Sequence, residues 1–242
     1  MEAKENSQAQ SEDYSVTLEL QVREIVSETL ATSEAVEELP LLLGAIVQFL
    51  ERLTRDIAGT LPPHKAIACA EGCAFCCTST EVHASALEVI GITVHLADHF
   101  SQPDLRALAR NVRQAAEAKK AQYGQEKPSS FPCPLLKDNG CRIYPVRPFV
   151  CRGFNSYDAT ACERRKAGDG DTEILGYIHQ DTVAQATLRG VQRGCADRGL
   201  DGDALDLAPA LAIALEEPDV IERWRAGEAV FEPARARHAR GA

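Results

Sequence analysis

The residues of this chain that could do chemistry are its cysteines, nine in all. Four fall in the stretch Cys69-Ala70-Glu71-Gly72-Cys73-Ala74-Phe75-Cys76-Cys77. Three more, Cys133, Cys141 and Cys151, answer them downstream, and Cys162 follows. Thiols bunched in this way bind metal or react, whereas evenly scattered ones fill a core. As thiolates they suit zinc, copper(I) or iron–sulfur clusters. The Cys73-x-x-Cys76 spacing lets one tight turn offer two sulfurs to one centre, and Cys69, one helical turn earlier, extends the grip. Adjacent Cys76 and Cys77 should point apart. That suits a polynuclear cluster, a second site, or a ligand beside a free thiol better than one tetrahedral ion. Cys195, alone between Gly194 and Ala196, reads as an ordinary cysteine.

The elements that must position these thiols are mostly helical. Leu18, Val22, Ile25 and Val26 recur at helical spacing between Val16 and Leu30. A second stripe runs through Val36, Leu39, Leu43, Ile46, Val47, Leu50, Leu53 and Ile57, with Ser33 as its cap, Pro40 near its first turns and Gly59 at its end. Leu61-Pro62-Pro63 breaks the chain just before the first cysteine group. After it, Thr80–Ala84 reads as extended, and Ser85-Ala86-Leu87-Glu88 has the form of a capping box opening a helix to about Phe100. Ser101-Gln102-Pro103-Asp104 opens another, towards Tyr123. Residues 125–134 form a loop. Leu135–Tyr144 reads as a hairpin turning at Asn139-Gly140, which brings Cys133 and Cys141 back towards the loop, with Cys151 beyond a proline-stiffened turn. A helix beginning near Glu173 and two more over 207–215 and 218–227 complete the expectation.

The fold class expected is therefore mainly α: one helical domain over 15–232 with a small β-hairpin and cysteine-rich metal-binding loops. The cysteine-cluster region covers about 65–165, and flexible tails flank the domain at 1–14 and 233–242.

Hydrophobic content of 45% and charged content of 26% place the chain with soluble globular proteins. The net charge of −10 speaks against non-specific contact with nucleic acid or an anionic membrane. No apolar run approaches the ~20 residues a bilayer requires. With no secretory pattern at Met1–Asn6, the expected location is the cytoplasm, where disulfides are disfavoured. Residues 133–166 alone are basic, with seven positive groups against three negative. Arg142, Arg147 and Arg152 each lie near a cysteine there, and could neutralise or hydrogen-bond sulfurs around a metal. Surface pairing with acidic helices is the alternative. His64 and His83 flank the first cysteine group as accessory ligands at most. His95 and His99 share a helix face, but Leu96 stands where a metalloprotease helix needs glutamate.

The combination Gly72-Cys73-Ala74-Phe75-Cys76-Cys77, Cys133-Pro134-Leu135-Leu136, Gly140-Cys141-Arg142-Ile143-Tyr144 and Arg147-Pro148-Phe149-Val150-Cys151-Arg152-Gly153 resembles the CxxCxxCC cysteine-cluster family, the YkgJ-like zinc- or iron-chelating domains. The resemblance implies a metal site of Cys69, Cys73, Cys76, Cys77, Cys133, Cys141 and Cys151, with Cys162 in addition. Three residues rather than two separate Cys69 from Cys73, a departure from the family name. An iron–sulfur cluster is preferred over zinc, because the thiols outnumber one tetrahedral site and include an adjacent pair. Some proteins of similar appearance are associated with flagellin lysine N-methylation, so a metal-dependent protein-modifying enzyme is the first alternative. A metal-free thiol redox sensor is the second. No glycine-rich nucleotide fingerprint follows a strand, and Gly168–Asp171 reads as a turn.

Overall fold

The computed structural model describes residues 2–33, 35–70, 72–78, 81–123, 125 and 131–236, with side chains from residue 14 onward except residue 37. Among these residues the architecture is mainly α with two short antiparallel strand pairs, as the sequence pattern requires. Its longest contact is between α1 (Glu2–Thr32) and α7 (Ile178–Ala196). The apolar stripe of α1 buries Leu18, Val22, Val26 and Leu30. Opposite it, α7 offers Gly190 and Gly194, one turn apart. A Cβ built on Gly190 would stand 2.7 Å from Glu19 O and from Val22 Cβ, and one on Gly194 would stand 2.7 Å from Val26 Cβ. The backbones thus approach closely only because these two positions lack side chains. Charges clasp the rim of the contact. Glu19 pairs with Arg189 and Arg193, and Arg23 donates two hydrogen bonds to Asp197 at 2.6 and 2.7 Å. Helical backbone begins at Glu2, so it includes most of the stretch expected as a tail.

α2 (Leu39–Thr60) buries Leu39, Leu42, Leu43, Ile46 and Leu50, with Pro40 in its first turn, where a missing N–H is harmless. It does not start from Ser33. A 3-10 turn over Val36–Glu38 intervenes, and the Ser33 hydroxyl is buried without a hydrogen-bond partner. α3 (Ala86–His99) and α4 (Gln102–Lys120) begin where expected, at Ser85 and Ser101. α8 (Leu207–Glu216) packs against both, and α9 (Val220–Arg225) places Trp224 fully inside. The strand β1 (His83–Ala84) pairs antiparallel with β4 (Leu205–Asp206), a ladder of two residues that the pattern did not single out. The expected extended piece begins at Thr80, which lies outside the described residues, as do 126–130 of the expected loop and 237–242 of the expected tail.

β2 (Leu136–Lys137) and β3 (Gly140–Cys141) form the hairpin, with Leu136 opposite Cys141. Its turn lies one residue earlier than expected, at Asp138-Asn139, both in the left-handed region (φ 50° and 58°). That is the two-residue loop matching strand twist, which Asp and Asn tolerate, and Gly140 becomes the first residue of the return strand. Two short helices escape the periodicity, α5 (Phe149–Gly153) and α6 (Ala159–Lys166). The helix expected near Glu173 starts instead at Ile178 as α7.

One carboxylate joins these pieces. Glu88, 2% exposed, accepts from Ser85 N–H at 2.7 Å and from the Ser85 hydroxyl at 2.8 Å, completing the capping box of α3. Its other oxygen accepts from Phe149 N–H at 2.7 Å, the first residue of α5. A single side chain therefore caps two helix starts.

Three outcomes test this packing. Gly194→Ala should lower the free energy of unfolding by about 1–3 kcal/mol, the usual penalty for forcing volume into a filled contact. Gly44→Ala, in α2 with nothing within 4 Å of the added Cβ, should leave stability unchanged or raise it by about 1 kcal/mol. Glu88→Gln should destabilise by about 1–3 kcal/mol, because an amide NH2 turns towards a buried donor that has lost its acceptor. Urea titrations of the three variants read all of these; equal midpoints for Gly194→Ala and Gly44→Ala would contradict the close approach.

Candidate metal centre

The first cysteine segment has little regular structure, and it is held by single hydrogen bonds to rigid neighbours. Tyr177 O–H donates to Leu61 O at 2.6 Å, and Ala68 N–H to Ser156 O at 2.8 Å. The 155–156 segment is itself pinned. Asn155 accepts from Tyr177 N–H at 2.6 Å and donates to Gly153 O and Tyr177 O at 2.9 and 3.1 Å. Gly72 (φ 81°) lets the chain reverse ahead of Cys73, and Cys73 N–H closes a turn on Ala70 O at 3.0 Å. Cys76–Thr78 then forms a 3-10 turn, closed by Thr78 N–H and O–H on Phe75 O at 3.1 and 2.8 Å.

The second cysteine group meets this turn directly, because Cys133 N–H donates to Cys77 O at 2.7 Å. Leu135 and Ile143, each 1% exposed, anchor the hairpin in the core, so that Cys141 on β3 has a fixed register. Cys151 sits in α5, two residues after the N–H held by Glu88. Cys162 lies in the first turns of α6, whose Asp158 side chain accepts from Thr160 N–H at 2.8 Å as the N-cap. α6 packs on the Cys76–Thr78 turn, with Lys166 Nζ 5.7 Å from the centre of the Phe75 ring. All nine cysteines are free thiols; Cys69 is exposed, Cys162 and Cys195 are buried, and the others are half-buried.

Their electrostatics are those of crowded thiols. Burial pushes Cys133 up to about 11, and thiolate charge on Cys141 and Cys76 adds to the rise. Cys151 is raised by burial and then by Cys133, Cys76 and Cys141. Burial also raises Cys69 and Cys141; for Cys141 the charges of Arg147 and Arg152 oppose the rise. Cys76 and Cys77 share a hydrogen bond, which raises Cys76 as the donor and lowers Cys77 as the acceptor. The adjacent sulfurs therefore do not point apart, as the sequence led us to expect. The 3-10 turn brings them together.

Of the three arginines singled out, Arg152 is 7% exposed and spends its donors on Arg147 O (3.0 Å), Glu51 (2.6 Å) and Pro145 O (2.5 Å). It pins the turn that links the hairpin to α5. Arg147 stacks on the Tyr144 ring at 4.0 Å, and its Nε is buried without a hydrogen-bond partner. Arg142 lies over Phe100 at 4.6 Å. His64 packs against Tyr157, and His95 stacks on His99 with ring centres 4.2 Å apart. His83 faces Asp206, Nδ1 to Oδ1 3.3 Å. Cys195 lies inside α7, raised to about 12 by burial. Asp206 is a buried polar residue that sequence reading passed over; it accepts from Tyr123 O–H at 2.8 Å and steadies the β1–β4 pair. No sequence signal marks it, because an aspartate after a turn-rich stretch looks like a loop residue.

Among the described residues, no three His, Cys, Asp or Glu side chains already stand in an arrangement fitting a metal ion. The thiols are neighbours rather than a closed cage. Their donor chemistry nevertheless fits zinc or iron: sulfur donors, mutual repulsion that a cation reverses, and arginine charge beside Cys141.

Comparison with curated proteins gave no match, and neither did comparison with solved structures. The model of one family does match, over residues 68–169, which include eight of the nine cysteines and exclude Cys195. That stretch is similar to the CxxCxxCC family, described as a "putative zinc- or iron-chelating domain".

Proposed function

We propose that this protein holds a thiolate-bound metal centre in its cysteine-rich region, with an iron–sulfur cluster as the preferred occupant and zinc as the other. Cys69, Cys73, Cys76, Cys77, Cys133, Cys141, Cys151 and Cys162 would hold it. What supports the reading is that loop, hairpin, α5 and α6 lie together, although 60 to 90 residues separate some of their thiols in the chain. An iron–sulfur group would supply one-electron redox chemistry, and zinc would supply a structural clamp. The chain's own contribution is to hold the sulfurs in register, to offer Arg147 and Arg152 beside Cys141, and to keep α5 in place through Glu88. Free thiols suit a reducing compartment such as the cytoplasm.

Two thiolates about 4 Å apart repel by about 4 kcal/mol at an effective dielectric constant of ~20, so several cannot ionise side by side without a cation. Metal binding therefore displaces thiol protons.

The test is to purify the protein without oxygen, measure iron, zinc and acid-labile sulfide, and record the visible spectrum. Brown protein with matched iron and sulfide is the expected result; colourless protein with stoichiometric zinc would reverse the preference between the two occupants. Cys76→Ser and Cys151→Ser should each lower the bound metal, and Cys195→Ser should retain all of it. Full metal content in both of the former would refute the site.

A further inference from the structure

The eight clustered thiols are not evenly spread about one point. The chain divides them by two separate ties. Ala68 N–H to Ser156 O (2.8 Å) draws the start of the cysteine loop towards the segment leading into α6. Cys133 N–H to Cys77 O (2.7 Å) draws the end of the same loop to the hairpin. On the first side, α6 carries Cys162 against the Cys76–Thr78 turn, with Lys166 over Phe75. On the second, β3 carries Cys141 and α5 carries Cys151, with Arg147 and Arg152 adding their charge.

The two ends of the loop have different electrostatic neighbours. Cys69 feels Cys73 and Cys162, whereas Cys77 feels Cys133, Cys151 and Cys141. Cys76 stands at the border: Cys69 feels it on one side and Cys133, Cys141 and Cys151 on the other, and it is hydrogen-bonded to Cys77. Four sulfurs complete a tetrahedral site, and eight complete two. From this geometry we propose that the domain has two adjoining metal positions: Cys69, Cys73, Cys76 and Cys162 form one, and Cys77, Cys133, Cys141 and Cys151 form the other.

The arrangement gives a role to the basic residues beside Cys141, Arg147 and Arg152. A tetrathiolate around a divalent ion carries a net charge of about −2, which needs nearby compensation when partly buried. It also gives the adjacent pair a role. Cys76 and Cys77 would each end one quartet, so the two positions would meet through neighbouring residues of one turn.

This inference rests on the thiolate metal centre proposed above, and its test separates the two. The full chain, reduced and freed of metal under anaerobic conditions, is titrated with cobalt(II), whose thiolate charge-transfer absorption reports sulfur ligation. Saturation is expected at two equivalents. Cys69→Ser/Cys162→Ser should retain one equivalent, and Cys141→Ser/Cys151→Ser should retain one, whereas the quadruple variant should bind none. Saturation of the wild type at a single equivalent overturns the two positions and leaves the metal centre standing. Loss of both equivalents in either double variant, with far-UV circular dichroism like that of the wild type, also overturns them. A wild-type chain that binds no cobalt, and contains no iron or zinc as isolated, overturns the inference together with the reading beneath it. Should a double variant unfold, the wild-type endpoint decides alone.

Discussion

The structure depends on one buried carboxylate. Burial pushes the Glu88 pKa up, while hydrogen bonds from Ser85 and Phe149 and the charge of Arg152 pull it down. The three donors it satisfies come from two helix starts that are far apart in the chain. A helix as short as α5 has little stability of its own, since nucleation is unfavourable and five residues close hardly any intrahelical bonds. Its place is set from outside, by Glu88 at one end and by Arg152 and Asn155 at the other. Cys151 inherits that place. Arg152 extends the arrangement to the turn at 145–147, and through it to the hairpin that carries Cys141.

The basic island within an acidic chain has a narrower electrostatic role than its charge count suggests. Arg142 covers Phe100, Arg147 covers Tyr144, and most of the donors of Arg152 hold backbone carbonyls. Cationic influence on sulfur is thus concentrated at Cys141, whereas Cys133 and Cys151 answer chiefly to burial and to neighbouring thiols. Such a site disfavours several simultaneous thiolates until a cation arrives, which links occupancy to proton release.

The parts legible in the sequence were those whose cause is local. The capping box Ser85–Glu88, the cap at Ser101, the amphipathic stripes of α1 and α2 and the presence of a hairpin all follow from spacing. The hairpin turn slipped by one residue because Asn139-Gly140 is the commoner signal, while Asp138-Asn139 meets the same backbone requirement. Ser33 looked like a cap because its side chain and position allow it, but the 3-10 turn that follows belongs to tertiary packing. α5 and α6 were illegible because five and eight residues cannot display a helical period. The second bond of Glu88, to Phe149 N–H, spans 61 residues, and no local pattern announces it. The cysteine groups were visible from their clustering. Their division between α6 and the hairpin depends on two backbone hydrogen bonds that side-chain spacing cannot reveal.

Cys76 and Cys77 carry the argument furthest. Adjacent residues in extended backbone place their side chains on opposite faces, and that geometry made the pair look ill-suited to one ion. A 3-10 turn has about three residues per turn, so neighbours are separated by only about a third of a revolution and their sulfurs can meet. The hydrogen bond between them makes Cys77 the easier thiolate and Cys76 the harder one. The pair is thus chemically unequal although the residues are identical, first through the hydrogen bond between them and then through burial. On the proposed division, one short turn would give one sulfur to each position, so the two positions would be joined through neighbouring residues of the chain.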